Sequence, residues 1–414
     1  MRSRVENIFD ILEERGFVEQ VTDRDMLRDQ LKKPTTCYIG FDPTARSLHV
    51  GSLVPIMSLA HMQRAGHRPI ALVGGGTAMV GDPSGKTEMR RIMTREEIND
   101  NAEGIKKQLS RFIDFSEDRA IMLNNAEWLT ALNYIDFLRD IGRHFSVNRM
   151  LTAESYKARM KDGLNFIEFN YQLLQAYDFW YLFNHYDCRV QMGGNDQWGN
   201  IIAGADLTRR LNGEIVHGLT FPLITTSSGV KMGKTHQGAI WLDPELTSPY
   251  DYYQFWINQE DGDTGRFLAF FTFLPMDEVR RLSALEGSDI RQAKESLAFE
   301  ATRLCHGEGE AEKARKAARQ LFGGDRSEMS ESVPGFHIGE KDFGDGIPAY
   351  ILFEMTGLCK TRSDARRLIS QGGGYINDSA VHAFDQIIGP DQAANGSILL
   401  RAGKKRYARV VIQQ

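Results

Sequence analysis

Two polar residues, His49 and Ser52, stand three apart just after a turn built from Gly40, Asp42, Pro43 and Thr44. Residues 35–41 (TTCYIGF) are β-branched and aromatic, as a buried strand requires. From Leu48 onward, Leu48, Pro55, Leu59 and Met62 fall near one helical face, with Ser47 as the expected cap. A strand, a tight turn and a helix start make a receptor for phosphate. The first N–H groups of a helix are free and carry partial positive charge. Taken alone, the pattern fits equally a capped helix with an incidental surface histidine.

Further candidates follow along the chain. Residues 80–91 (VGDPSGKTEMRR) hold one carboxylate, Asp82, and three cations, Lys86, Arg90 and Arg91. A phosphate-binding GxxxxGK[ST] loop would need glycine at 80, where valine stands, and Met79 breaks GxGxxG after Gly74. Both nucleotide motifs are therefore rejected. Residues 166–184 read as an apolar helix on which Tyr171, Gln175 and Asp178 share one face. Such polar groups must be hydrogen-bonded if buried, by each other or by a ligand. Gln191 belongs to an expected strand at 188–192. Asp196 and Gln197 follow it in GGNDQWGN, at a strand's carboxyl end where open α/β sheets bind ligands, with Asn195 or Asp196 as helix cap. Residues 227–235 (SSGVKMGKT) place Lys231 and Lys234 three apart, with Thr235 next, on a glycine-containing loop.

The elements that must position these groups alternate. A leading helix at 5–17 precedes a polar connection, helical in part. The strand at 35–41, a helix ending at Gly66 and a second strand at 68–73 follow. Strand–helix–strand at this spacing predicts a parallel sheet with right-handed crossovers. Helices are expected at 94–115 and 130–145, the latter a candidate dimer-contact insertion or ordinary core. A last strand is expected at 217–225. The 414 residues suffice for two or three domains, with 42% hydrophobic and 25% charged residues and a net charge of −5. That balance excludes a polycation that binds nucleic acid along its whole length. No apolar run is long enough to span a membrane. The four scattered cysteines argue against zinc and disulfides, and for a reducing, cytoplasmic setting.

The C-terminal part differs. Residues 236–322 read as helical, 323–346 as a flexible linker, and 347–414 as a small domain. That last segment carries nine Lys/Arg against five Asp/Glu, a net +4 that leaves −9 elsewhere. Arg366, Arg367, Lys404, Lys405 and Arg406 are its candidate RNA contacts. A helix pair is expected at 358–371.

In order, HVGS, YxxxQxxD, GGNDQWGN and KMGKT form a joint pattern. It resembles that of the bacterial tyrosyl-tRNA synthetases, members of class I, over essentially the whole chain. Ser52 replaces a signature histidine, and Gly233 and Thr235 replace signature serines. The resemblance implies an α/β fold: a Rossmann-like, doubly wound parallel sheet in a catalytic domain (1–235), then an α-helical domain contacting tRNA (236–322), and a small α+β S-four-type RNA-binding domain (347–414). It implies a tyrosine–tRNA ligase working as a homodimer. The enzyme would join L-tyrosine to tRNA(Tyr) through a tyrosyl-adenylate, using ATP with Mg2+ and no prosthetic group or protein metal site. Tyr38, Asp82, Tyr171, Gln175, Asp178 and Gln191 would bind tyrosine. Gly40, Asp42, Thr44, His49, Gly51, Asp196, Gln197 and Lys234 would bind ATP. Catalysis would fall to His49, Ser52, Lys231, Lys234 and Thr235.

Overall fold

The computed structural model describes residues 7–84, 93–160, 163–227, 229, 232, 234–235, 238–323, 333, 335–377, 379–393, 396–403 and 406–413. The chain divides into two units, Met1–Leu246 with Gln259–Leu297, and Thr247–Asn258 with Ala298–Gln414.

The first unit is built on a six-stranded sheet. Its strands are β1 (Gln20–Val21), β2 (Thr36–Phe41), β3 (Arg68–Val73), β4 (Ile121–Asn124), β5 (Cys188–Gly194) and β6 (His217–Phe221), in the order β1-β6-β5-β2-β3-β4. Five strands are parallel, and the edge strand β1 runs antiparallel to β6. From β2 the chain proceeds outward to β3 and β4, then returns to β5 on the other side. The order therefore reverses between β2 and β5, and open α/β sheets form their ligand crevice outside the carboxyl ends of such strands. β3 is apolar on both faces, as a parallel strand covered on both sides must be. Tyr38, Ile70, Leu72, Phe179 and Leu182 form one core with Trp128.

Four helices position the crevice: α1 (Leu53–Arg64), α2 (Arg95–Leu109), α3 (Phe166–Tyr186) and α4 (Trp198–Asn212). α1 is buried nearly all round. Thr94 and Glu97 close a capping box at the start of α2. α4 ends at Gly213, whose positive φ of 73° lets its N–H reach the Arg209 carbonyl.

Several expectations are corrected. The helix after the first turn does not begin at Leu48. The chain stays extended through His49, makes a 3-10 turn at Val50–Ser52, and becomes α-helical at Leu53. His49 is the cap, its Nδ1 accepting from the Gly51 N–H at 3.0 Å, because the Ser47 hydroxyl is bound to Leu48 and Gln108. Asn195 and Asp196 do not cap α4. They lie in a 3-10 turn, Asn195–Gln197, and the Asn195 side-chain carbonyl accepts instead from Gln20 and Thr220. The single helix expected at 130–145 is broken into Tyr134–Asp140 and a 3-10 turn, because Asn133 bonds the N–H groups of Ile135 and Asp136 and starts a new helix. The last strand stops at Phe221 rather than running to 225. The polar connection near residue 20 contributes β1.

In the second unit, β7 (Gly335–Gly339), β8 (Gly374–Ile376), β9 (Ser379–Ala380), β10 (Ser397–Ala402) and β11 (Arg406–Gln413) form a sheet ordered β9-β8-β10-β11-β7. β7 pairs in parallel with β11, so residues 335–339, expected as linker, are part of the folded domain. The reading of 323–346 as linker overlooked Phe336 and Ile338, which supply the apolar face of this strand. Residues 358–371, expected as a helix pair, hold one helix, Arg362–Ser370; it pairs with the earlier Ala349–Met355, and Leu358 lies in the turn between them. Phe343, Leu352, Phe353, Ile369 and Ile398 centre the core.

Candidate active site

A cavity of about 410 Å3 opens at the switch point, lined from β2, α1, β5, α3 and the turn before α4. It brings together Tyr38, Gly40, Asp42, His49, Ser52, Pro55, Asp82, Tyr171, Gln175, Asp178, Gln191, Asp196 and Gln197. A groove of about 1210 Å3 elsewhere is roomier. It is lined by surface charges of both signs and holds none of these groups.

Tyr38 projects from β2 and is 1% exposed. Its hydroxyl has no hydrogen-bond partner among the described residues. Asp178, from α3, is fully enclosed. Its Oδ1 accepts from Trp128 Nε1 at 2.7 Å and its Oδ2 from Asn125 Nδ2 at 2.9 Å. Burial pushes Asp178 up to about 7, the bonds from Asn125 and Trp128 pull it down, and the Asp42 charge adds to the rise. Burial, reinforced by the Asp178 charge, holds the Tyr38 phenol well above its ordinary value. Asn125 is fixed in turn, its Oδ1 accepting from the Gly76 N–H at 2.7 Å and its Nδ2 donating to Thr77 Oγ1 at 3.0 Å.

Asp82 forms a second polar centre. Its Oδ1 accepts from the Ser84 N–H and its Oδ2 from Gln197 Nε2, each at 2.8 Å. Burial pushes it up to about 6, with the Asp42 charge helping and the bonds from Ser84 and Gln197 opposing. Asn200 Nδ2 joins Gln197 Oε1 at 3.1 Å to Gln175 Oε1 at 3.0 Å, tying α4 to α3. Gln191 is 2% exposed, and its Oε1 lacks a partner among the described residues.

Among the described residues, the lining carries four carboxylates, Asp42, Asp82, Asp178 and Asp196, and no Lys or Arg. Crowded buried carboxylates disfavour their own ionisation and favour a cationic guest. The cavity therefore suits a ligand bearing an ammonium at one point and a hydrogen-bonding hydroxyl at another. Among the described residues, no group of three or more His, Cys, Asp or Glu is placed to hold a metal ion.

Other expected residues fall elsewhere. Thr44 lines a separate groove beside Arg46 and Glu97. Gly51 does not line the cavity. A Cβ there would meet the His49 ring at 2.7 Å and the Met232 carbonyl oxygen at 2.9 Å. Lys86, Arg90, Arg91, Lys231, Lys404 and Lys405 lie outside the described residues. The backbone of Lys234 and Thr235 forms a short strand paired with Gly238–Ala239. In the second unit, Arg366 lies over the Tyr350 ring at 4.3 Å and the Phe384 ring at 5.5 Å. Arg367 bonds Asp364 at 2.7 Å, and Arg406 bonds the Leu358 carbonyl at 2.6 Å.

Asn125 and Trp128 were not anticipated. Their signal was position: they follow β4, a parallel strand that the sequence pattern did not reveal.

The profile of one family, the class I tRNA synthetases (W and Y), matches residues 30–323. The chain is 55% identical over 426 residues to a tyrosine–tRNA ligase of Syntrophus aciditrophicus, covering 99% of this chain and 100% of that protein. It is 56% identical over 427 residues to one from Desulfatibacillum aliphaticivorans, covering 99% of each. Among solved structures it resembles a C-terminally truncated mitochondrial tyrosyl-tRNA synthetase of Aspergillus nidulans. That match has a TM-score of 0.69 and 33% identity, over 77% of this chain and 94% of that one.

Proposed function

The chain belongs to the class I tRNA synthetases for tryptophan and tyrosine, among the tyrosine–tRNA ligases, and we propose that the cavity at the switch point is where tyrosine meets ATP. The enzyme activates L-tyrosine with ATP, giving tyrosyl-adenylate and pyrophosphate, and then transfers the tyrosine to the 3′ end of tRNA(Tyr).

Neither step needs a nucleophile from the protein. The tyrosine carboxylate attacks the α-phosphorus, and later a ribose hydroxyl of the tRNA attacks the acyl carbon. The protein contributes by holding reactants in line, worth up to ~7–11 kcal/mol, and by placing charge where charge develops, roughly 3–4 kcal/mol per contact. Asp82, Tyr171 and Gln175 hold the substrate ammonium. Tyr38 and Asp178 bond the phenol hydroxyl. Gln191 meets the carboxylate side. Gly40, Asp42, Thr44, Gly51, Asp196 and Gln197 receive the adenosine part and its ribose. His49, Ser52, Lys231, Lys234 and Thr235 stabilise negative charge on the phosphates. Mg2+ arrives with ATP and needs no cage of protein ligands.

The observation that carries this reading is the buried Tyr38 hydroxyl without a partner, close to the Asp178 carboxylate. A buried donor left unsatisfied costs free energy, and a phenol hydroxyl supplies what it lacks. An analogue without that hydroxyl leaves the Tyr38 hydroxyl unpaired. Tyrosyl-tRNA synthetase is the standard example of such selectivity, about 10⁵ against phenylalanine.

The finer organisation belongs to the same proposal. Residues 1–235 form the catalytic domain, residues 236–322 contact tRNA, and the small domain from 335 onward is an S-four-type RNA-binding module. Its support is the excess of basic residues there, Arg366, Arg367 and Arg406 among them. The protein works as a homodimer in the cytoplasm. Ile135, Tyr134 and Val147 are 67%, 55% and 55% exposed, large apolar side chains available to a second copy. No helix among the described residues is long and apolar enough to cross a membrane.

The decisive experiment is ATP–pyrophosphate exchange with tyrosine, with tryptophan and with neither, followed by tRNA charging. Exchange with tyrosine alone is expected. Exchange with no amino acid would leave an RNA-binding protein. Gel filtration at the mass of one chain would remove the dimer.

A further inference from the structure

The loop between β2 and α1 carries Thr44 and leads into His49, yet little within the loop itself fixes it. Before His49, its one internal backbone bond among the described residues joins the Thr44 N–H to the Asp42 carbonyl at 2.8 Å. Much of the rest of its hold comes from α2. Asn101, Gly104 and Gln108 stand at i, i+3 and i+7, so they share one face of that helix. Asn101 Nδ2 donates to the Pro43 carbonyl at 2.9 Å. Gly104 has no side chain to intrude where the Arg46 carbonyl presses on the helix, and a Cβ there would collide with that oxygen. Gln108 is 3% exposed. Its Oε1 accepts from the Leu48 N–H at 2.8 Å and from the Ser47 hydroxyl at 3.3 Å. Its Nε2 reaches the Arg46 carbonyl at 3.4 Å.

A glycine in mid-helix lowers helix stability, so it needs a reason, and here the reason is close approach to the loop. The same point is held from the other side. The Asp243 N–H donates to Ser47 Oγ at 3.2 Å, and the Leu242 N–H to the Leu48 carbonyl at 2.9 Å. Gln108 thus sits where α2, the residues just before the first signature and the segment at Leu242 and Asp243 meet.

We propose that Gln108, aided by Asn101 and Gly104, is a positioning residue for adenylate formation. α2 clamps the loop by its backbone and so fixes where His49 meets the phosphates of ATP. The inference rests on the reading of His49 as phosphate-facing. Gln108 touches no substrate. It acts through the Leu48 N–H, one residue before His49, and a displacement of about 1 Å at a reacting group can cost on the order of 100-fold in rate.

The test compares the full-length wild type with Gln108→Leu, which keeps bulk and loses every bond, and Gln108→Glu, which keeps the acceptor. Tyrosine-dependent exchange and tyrosine Kd are both measured. Gln108→Leu should lower kcat at least about tenfold with tyrosine Kd within about twofold, and Gln108→Glu should recover to within about threefold of wild type. The proposal is overturned if Gln108→Leu leaves kcat within about twofold. It is also overturned if the glutamate variant falls as far as the leucine variant, or if tyrosine Kd rises in step with the lost rate. If Gln108→Leu does not fold, Asn101→Ala decides: a kcat loss of about threefold or more at constant tyrosine Kd supports the clamp, and an unchanged kcat refutes it. His49→Ala separates the two readings. If it costs no rate, the role of His49 falls and the clamp with it. If it is impaired while Gln108→Leu is not, the clamp alone is refuted.

Discussion

Gly51 and Met232 are separated by 181 positions, yet a single methyl group added to Gly51 would sit 2.9 Å from the Met232 carbonyl oxygen. The first signature, HVGS, and the second, KMGKT, therefore touch. Nearby backbone bonds repeat the contact: the Val50 N–H meets the Ile240 carbonyl at 3.0 Å, and His49 bridges to Trp241. Two segments proposed to face phosphate must converge if both are to act on one triphosphate.

Gly51→Ala tests this contact. The added methyl has the His49 ring at 2.7 Å on one side and a backbone oxygen on the other, so one of them must move. Overpacking of this kind costs about 1–3 kcal/mol. Thermal denaturation should show the loss, and exchange kcat should fall by more than about tenfold because His49 is displaced. An unchanged kcat would mean that His49 is free of this contact.

Tyr38→Phe separates stability from selectivity. It removes a buried hydroxyl that lacks a partner among the described residues. The empty variant should gain up to about 1–2 kcal/mol, seen as a raised Tm. Discrimination between tyrosine and phenylalanine should fall by at least about tenfold, measured as the ratio of kcat/KM in exchange.

Asp178→Ala should behave in the opposite way. It strands the Trp128 and Asn125 donors, at a cost of about 1–3 kcal/mol. Tyrosine kcat/KM should fall at least about 100-fold while KM for ATP stays within about threefold. Equal losses for both substrates, measured by exchange, would count against a role at the phenol.

Asp82 and Asp178 predict a pH dependence. In the folded protein they titrate near 6 and near 7, above the ordinary value of 3.8. The folded state then keeps protons that the unfolded chain has released. Their contribution to stability is fully present below about 3.8 and is lost as pH rises through about 6 and 7. An ammonium beside Asp82 favours the ionised form. Tyrosine should therefore raise Tm more at pH 8 than at pH 5.5, and its affinity should weaken, by at most about tenfold per unit, as pH falls below about 6. Equilibrium dialysis from pH 5 to 8 measures this, and Asp82→Asn should flatten the profile.

The basic excess of the C-terminal segment calls for a charging assay. Replacing Arg366 and Arg367 together by serine should raise KM for tRNA about tenfold, and exchange without tRNA should change far less. The slope of log K against log salt should decrease in magnitude by about 0.7–0.9 for each phosphate that the variant no longer neutralises.

Much of this was legible in the chain itself. β2 and β3 declared themselves by largely apolar runs, and Tyr171, Gln175 and Asp178 by a spacing that only a helix brings to one face. The order of four short motifs is by itself specific to the family. All of these are local signals: burial within one element leaves a period in the residues of that element.

Tertiary structure decided the rest. Asn125 and Trp128 bond Asp178 from about 50 positions away, Gln108 reaches Leu48 across 60, and Asp243 reaches Ser47 across 196. A hydrogen bond needs only one donor and one acceptor at the right distance, so it leaves no repeat along the chain. For the same reason His49 rather than Ser47 became the cap, and the two-residue strand β1 and the joining of residues 335–339 to a distant partner strand could not be read in advance. The residue types set what each site could do, and the long-range packing chose which of them would do it together.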